Sequence, residues 1–419
     1  MGDERLFEIR LKRMNDAVSL TEPDKVPISP WTAGFPYAIY PEIGATHKDA
    51  MYGYEKAAEA QIKYHTDFEP DAVSTDTVFL CGKAGDYLKP TMMDWPGRQG
   101  TPLPDDSIYQ MFEVEYMMED EYDELLNDFT GFILRKYLPR SFEGLKGLEK
   151  FRINPTNGIL DTGLVPLASY EIQDALKLLV SYGEDRVQTD KAFGSFLMKL
   201  IEHGFPPFFT AVGGVPFDIL SDYYRGTMGT LYDQVERPDK IAAACELFAK
   251  KQIEELAWME HAPLPVKCVF FPMHKGMDGF MSDEHYRDLY WTPYQKVLRY
   301  LISKGIRPLI FTEGPYNTRY EFIAEQLKEF PPGSCIVYFE KGDFAAFKRA
   351  FKDIACIYGG VPMDLINRGT KDDVSECVKK LIHDCAPGGG YIIGTSGPLE
   401  ANAKRENVEA LYEAARTYG

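Results

Sequence analysis

From Pro206 to the C-terminus the chain repeats one unit: a short apolar run, a polar loop bearing glycine, and a helix. The clearest copy spans Lys267 to Ser282. Cys268, Val269, Phe270 and Phe271 make a run of strand length, rich in aromatic and β-branched residues. Pro272 ends the run, and a loop follows that carries His274, Lys275 and Asp278, with glycines at Gly276 and Gly279. Ser282 is placed to cap the next helix, and Asp283 and Glu284 suit the positive end of its dipole. Strands that alternate with helices build a parallel sheet with crossover helices. The loops after the strands then share one face, which is where such folds do chemistry.

Apolar anchors at Val26, Ala72, Phe208, Cys268, Pro308, Cys335, Cys356 and Tyr391 predict eight strands, the last six in clean alternation with helices. The expected fold is α/β, a TIM (β/α)8-type barrel, with an open doubly wound sheet as the alternative. Residues 1–419 read as one such domain, extended by an N-terminal helix over Arg5–Ala17 and by an elaboration at about 82–170. Within that elaboration Met117–Asp128 reads as an acidic, solvated helix, and a helix over Tyr170–Tyr182 follows it. The elaboration suits a cap over the barrel or an oligomer contact, such as that of a homodimer. Other expected helices cover His47–His65 and Asp283–Lys304, the latter kinked or split at Pro293 and ended by Gly305. Thr370 and Asp373 form a capping box.

A net charge of −18 argues against nucleic-acid or anionic-membrane binding. The apolar runs are only strand-sized, so none could span a bilayer, and the N-terminus lacks a signal core. Seven widely spaced cysteines without a C-x-x-C fit a reducing cytoplasm rather than a disulfide framework.

On a barrel, one rim gathers His274, Glu313, Glu340, Asp343 and Ser396, together with Trp31, Asp76 and Tyr316. Glu313 stands between an apolar run and Gly314-Pro315, which already supply the turn, so a pocket carboxylate is favoured there. Asp343 opens a helix and either caps it or serves the site; Asp76 faces either water or the pocket. A histidine with several carboxylates permits two chemistries. One is a metal site rich in oxygen and nitrogen donors, with zinc the expected occupant. The other is metal-free acid–base work by His274.

Four segments carry a family resemblance: P-F-D-I-L-S-D-Y-Y-R-G at 216–226, G-I-R-P-L-I-F-T-E-G at 305–314, G-G-V-P-M-D-L-I-N-R-G-T at 359–370, and the ending G-T-S-G-P-L-E with E-N-V-E-A-L. With them the chain resembles the uroporphyrinogen decarboxylase superfamily from about Arg5 to its end. The arginine-rich substrate motif of the decarboxylases is missing, since Trp31-Thr32-Ala33-Gly34 stands in its place. The zinc-binding cysteines of thiol methyltransferases are missing too: Glu313 and Ser396 occupy those positions.

The resemblance is thus to the corrinoid-dependent methyltransferase branch, the O-demethylases in particular. It implies transfer of a methyl group from a small methylated, methoxylated substrate to cobalamin carried by a separate corrinoid protein. His274 and Glu313 would act on the leaving oxygen, either as zinc ligands together with Glu340 or as acid–base groups completed by Asp343, and Trp31, Asp76, Tyr316 and Ser396 would contact substrate. The other readings are a metal-independent decarboxylase or lyase, and a non-catalytic scaffold for a corrinoid protein.

Overall fold

The computed structural model describes residues 2–32, 37–74, 82–153, 163–399 and 402–419. An antiparallel pair, β1 (Met93–Asp94) and β2 (Gln110–Met111), lies in the elaboration. The remaining strands form one parallel sheet in chain order: β3 (Ala211–Val212), β4 (Cys268–Met273), β5 (Arg307–Thr312), β6 (Ile336–Phe339), β7 (Cys356–Val361) and β8 (Tyr391–Thr395). The β4–β5 ladder is in full register from Cys268↔Arg307 to Met273↔Thr312.

Two further staves close the sheet into a barrel, where the sequence anchors Val26 and Ala72 place them. Ser29 N donates to Ile393 O at 2.9 Å, and Ile393 N donates to Pro27 O at 2.9 Å. Asp71 N donates to Ile28 O at 2.8 Å, and Thr32 N to Ser74 O at 3.2 Å. Val73 N reaches Pro206 O at 2.8 Å and Phe208 N reaches Val73 O at 2.9 Å. These staves make single bridges, Ile28↔Ile393 and Val73↔Pro207, rather than ladders. Pro27, Pro30, Pro206 and Pro207 lack the N–H that a longer ladder would need.

Side chains along each strand alternate between two apolar cores. Cys268, Phe270, Leu309, Phe311, Ile336, Tyr338, Cys356, Tyr358 and Ile392 fill the interior with Phe208 and Phe209. Val269, Phe271, Ile310, Val337, Phe339, Ile357 and Ile393 face the surrounding helices. The interior is a packed aromatic stack, with ring centroids 4.4 Å apart for Phe311–Tyr338 and 4.1 Å for Tyr338–Tyr358. The helix Gly2–Val18 plugs the end from which the strands start, through Met14, Ala17 and Val18. Turns ahead of β6 and β8 close on it tightly: a Cβ on Gly333 would stand 2.7 Å from Val18 O, and one on Gly389 would stand 2.5 Å from Thr21 O. The opposite end is left for the site.

Several helix boundaries depart from the sequence expectation. The helix expected over 47–65 breaks at Gly53 into His47–Tyr52 and Tyr54–Phe68. The one from Tyr170 runs 33 residues, to Glu202. The segment beyond Ser282 does not split at Pro293: a π-helical stretch, Tyr286–Trp291, runs into Thr292–Ser303 with helical backbone at the junction. Only Tyr122–Asn127 of the acidic stretch is α-helical, and its leading residue Glu121 is buried rather than solvated. The Glu121 carboxylate takes Arg140 at 2.6 Å and Lys136 at 2.7 Å. Burial alone would raise its pKa, but the Arg140 and Lys136 bonds bring it down to about 2.

The elaboration is tied to the barrel through Tyr224 and Arg225. Tyr224 O accepts from the backbone N–H of Tyr116 and Met117, each at 2.8 Å. Buried Arg225 donates to Asp233 at 2.7 Å, and Tyr122 donates to the same Asp233 oxygen at 2.7 Å. None of the described helices is long and apolar enough to cross a membrane. Of the seven cysteines, Cys81 lies outside the described residues, and the other six carry free thiols.

Candidate active site

The loops after β4, β5 and β6 meet at the end of the barrel opposite the N-terminal helix, and His274 stands at their centre. Its backbone is set by Asp218, in the helix Pro216–Leu220 that follows β3. Asp218 is 3% exposed and accepts from His274 N and Lys275 N, both at 2.9 Å, and from the Tyr290 hydroxyl at 2.6 Å. One buried carboxylate therefore clamps two successive amides of the loop after β4. Burial and the nearby charge of Asp222 push its pKa up, while His274 pulls it down.

The helix carrying Asp218 passes into a π-helical turn, Ser221–Arg225. The extra residue per turn re-aims side chains, a device frequent at functional sites. Here it brings Asp222 to the ring: Asp222 Oδ2 lies 2.5 Å from His274 Nδ1. The other Asp222 oxygen is 3.3 Å from Lys275 Nζ, which also donates to Thr227 Oγ1 at 2.8 Å. Across the ring, His274 Nε2 lies 3.2 Å from Glu313 Oε2. Both ring nitrogens thus face carboxylates, and only the imidazolium can donate to both. Burial disfavours that charge, but the bonds to Asp222 and Glu313 and the charge of Asp218 outweigh it, and the pKa of His274 is raised to about 11.

Glu313 follows β5 directly, its backbone N–H donating to Met273 O at 3.2 Å. Its carboxylate is half exposed. The turn beyond it needs Gly314, whose φ is +91°. Gly314 N–H donates to the Glu340 carboxylate, so the first residue after β6 fastens the loop after β5. Asp278 fastens the same loop from the β4 side, accepting from Asn317 N at 2.7 Å and from the Thr318 hydroxyl at 2.7 Å.

A family model described as uroporphyrinogen decarboxylase (URO-D) matches residues 203–418, just over half of the chain. The chain belongs to the URO-D family. No curated protein is similar enough to the whole sequence to count as a relative. The fold of this URO-D family member is similar to that of a methyltransferase from Methanosarcina mazei, with a TM-score of 0.60, 14% identity and 98% of each chain covered. A B12-independent methionine synthase from Shewanella sp. W3-18-1, at 11% identity, covers 53% of this chain and 65% of its own, with a TM-score of 0.36. The expected TIM-type barrel and the URO-D relationship therefore both hold.

Of the residues singled out in the sequence, the structure joins His274 and Glu313, with Glu340 one step removed. The others stand elsewhere. Tyr316 is wholly buried, and its hydroxyl donates to Met273 O at 2.9 Å, so it props the loop instead of facing a cavity. Asp343 caps the helix Phe344–Phe351, accepting from Ala345 N at 3.0 Å and Ala346 N at 3.1 Å. Trp31 packs on Phe270 and Phe311 at 5.2 and 5.5 Å between centroids, forming the floor of the mouth. Ser396 follows β8 and accepts from Met363 N at 3.0 Å. Asp76 lies outside the described residues.

Sequence reading passed over Asp218, Asp222 and Lys275 as contributors. Asp218 looks like an ordinary first-turn helix acid, and nothing local to Asp222 announces a π turn. The one legible signal was the clustering of both aspartates within P-F-D-I-L-S-D, just past a strand and a glycine pair.

The donors expected for zinc do not form a cage in this arrangement. Both nitrogens of His274 face carboxylates, Asp222 Oδ2 at 2.5 Å and Glu313 Oε2 at 3.2 Å. Glu340 is spent on Gly314 N–H. Among the described residues no three histidine, cysteine, aspartate or glutamate side chains converge as a metal site would require.

Proposed function

We propose that this protein is a methyltransferase that removes the methyl group of a small methoxylated substrate and passes it to a corrinoid protein. The observation that carries the reading is the His274 ring, its Nδ1 2.5 Å from Asp222 and its Nε2 3.2 Å from the half-exposed Glu313. Methyl transfer from an ether needs the oxygen to leave with the bonding electron pair. An aryl oxide has a conjugate acid near the tyrosine value of about 10. A histidine raised to about 11 is close to that value, so proton transfer to the departing oxygen is nearly balanced.

The carbon–oxygen bond breaks, the pair stays on oxygen, and His274 Nε2 supplies the proton. Glu313, the more exposed partner, yields its place to the entering ether oxygen and afterwards stabilises the imidazolium once a proton from solvent has restored it. Asp222 keeps the ring in position throughout, and Asp218 keeps the backbone beneath it. A corrinoid partner, when docked, would supply a reduced cobalt nucleophile to accept the methyl group, and the residues of this chain would align the ether for it. Trp31, on the floor of the mouth, offers an aromatic face to a substrate ring.

The deciding experiment mixes the purified protein with reduced corrinoid protein and a panel of methoxylated compounds, and follows the corrinoid spectrum. Substrate-dependent methylcobalamin formation is expected. Carbon dioxide release from a carboxylic acid with no corrinoid present would replace this reading with a lyase. Absence of any turnover on a broad panel would leave the scaffold reading in its place.

A further inference from the structure

A second feature of the same barrel end is a cavity of about 770 Å3 among the loops that follow β6, β7 and β8. Lys341, Arg368 and Lys404 stand on its wall against Glu340 and Asp364, so cations outnumber acids there, on a chain whose net charge is −18. Only Lys341 reaches a carboxylate among the described residues, and that contact, to Glu340, is long at 3.9 Å. Glu340 is in any case engaged by Gly314 N–H. Lys404 Nζ is steadied by two carbonyls at the end of the helix Met363–Arg368, Arg368 O at 3.3 Å and Gly369 O at 3.2 Å. These bonds orient the ammonium without neutralising it. Ser396 adds a donor, since a hydroxyl that accepts from Met363 N keeps its own proton to give. Phe344 and Met363 supply apolar wall, and Gly360 lines the cavity where a Cβ would stand only 2.9 Å from the Leu381 side chain.

We infer that this cavity is a carboxylate subsite, and that the substrate demethylated at His274 and Glu313 carries an acid group held by Arg368, Lys404 and Lys341. The inference rests on the methyl-transfer reading for what happens to the ligand, but not for its binding. Glu340 joins the two places: it holds the residue next to Glu313 and also forms part of the cavity wall. A guanidinium meets a carboxylate with two parallel N–H groups, which selects an acid over a neutral amide of the same shape.

Calorimetry on the full chain, without corrinoid protein, tests the subsite with 4-methoxybenzoate and its neutral counterpart 4-methoxybenzamide. The acid should bind about tenfold or more tightly than the amide, as one charge-assisted pair provides. Arg368→Gln should remove that preference and leave amide affinity and the thermal melt unchanged; Lys341→Gln should reduce it in part. Equal binding of acid and amide, no binding of the acid, or an equal loss of both in Arg368→Gln overturns the subsite. Tighter binding of inorganic phosphate than of the acid overturns the carboxylate assignment. An Arg368-dependent preference in a protein that transfers no methyl group would sink the methyl-transfer reading alone. Methyl transfer with an unchanged acid-to-amide ratio in Arg368→Gln would sink the subsite alone.

Discussion

Asp222 Oδ2 stands 2.5 Å from His274 Nδ1, on a π-helical turn that an ordinary helix would not have aimed there. If this contact holds the ring charged and oriented, Asp222→Asn should lower the titration midpoint of His274 toward its usual range near 6.5. Methyl transfer should fall by about a hundredfold or more, the usual contribution of a positioned acid. Ring-proton NMR reads the first and single-turnover kinetics the second. An unmoved midpoint would show that Glu313 and Asp218 hold the charge without it.

His274 also sets a sign for stability against pH. Its folded pKa, about 11, lies above the unfolded value of about 6.5, so the folded state binds the proton more tightly. Its contribution is full below the unfolded value and is lost as pH rises through the folded one. Wild-type protein should lose stability across that alkaline window, and His274→Gln should lose less. Urea melts at a series of pH values compare the two slopes; equal slopes would mean the proton is not tightly held.

Asp218 has a structural task before any chemical one. Asparagine there keeps one acceptor oxygen and turns an N–H2 group toward backbone N–H groups, so at least one buried amide loses its partner. Asp218→Asn should cost about 3 kcal/mol in urea unfolding, since hydrogen bonds to a buried charge are among the stronger ones. A cost within the range of surface changes, about 0.5 kcal/mol, would show that the clamp is dispensable.

Glu313 is half exposed and makes no buried contact that the fold depends on. Glu313→Gln should therefore leave the melting temperature nearly unchanged while methyl transfer drops by about a hundredfold or more. Elemental analysis of the wild-type protein should find no stoichiometric zinc, and a chelator should leave turnover intact. One zinc per chain, lost in Glu313→Gln, would instead mean that the carboxylates turn to a metal and that the imidazolium gives up its protons.

Tyr316→Phe separates a prop from a substrate contact. Met273 O, which accepts the hydroxyl, keeps its bond from Glu313 N, so the loss should be about 1 kcal/mol. Turnover and KM should stay near wild type. A large rise in KM at unchanged stability would return Tyr316 to the substrate.

Alternation of apolar runs with glycine loops and helices was enough to predict a parallel barrel, because parallel strands force every following loop onto one end. That argument alone brought His274 and Glu313 to the same rim, though they lie far apart in the chain. Local chemistry was legible where both partners sit within one turn: Ser282 caps its helix, and Thr370 and Asp373 form their box. Tertiary structure decided the rest. Whether Asp343 caps or catalyses depends on which donors surround it, and Tyr316 became a buried post only once the loops after β4 and β5 had closed on each other. The partners of His274 depended on a π turn whose extra residue leaves no mark in apolar periodicity, so the register that aims Asp222 is set by packing and is absent from the pattern of the chain.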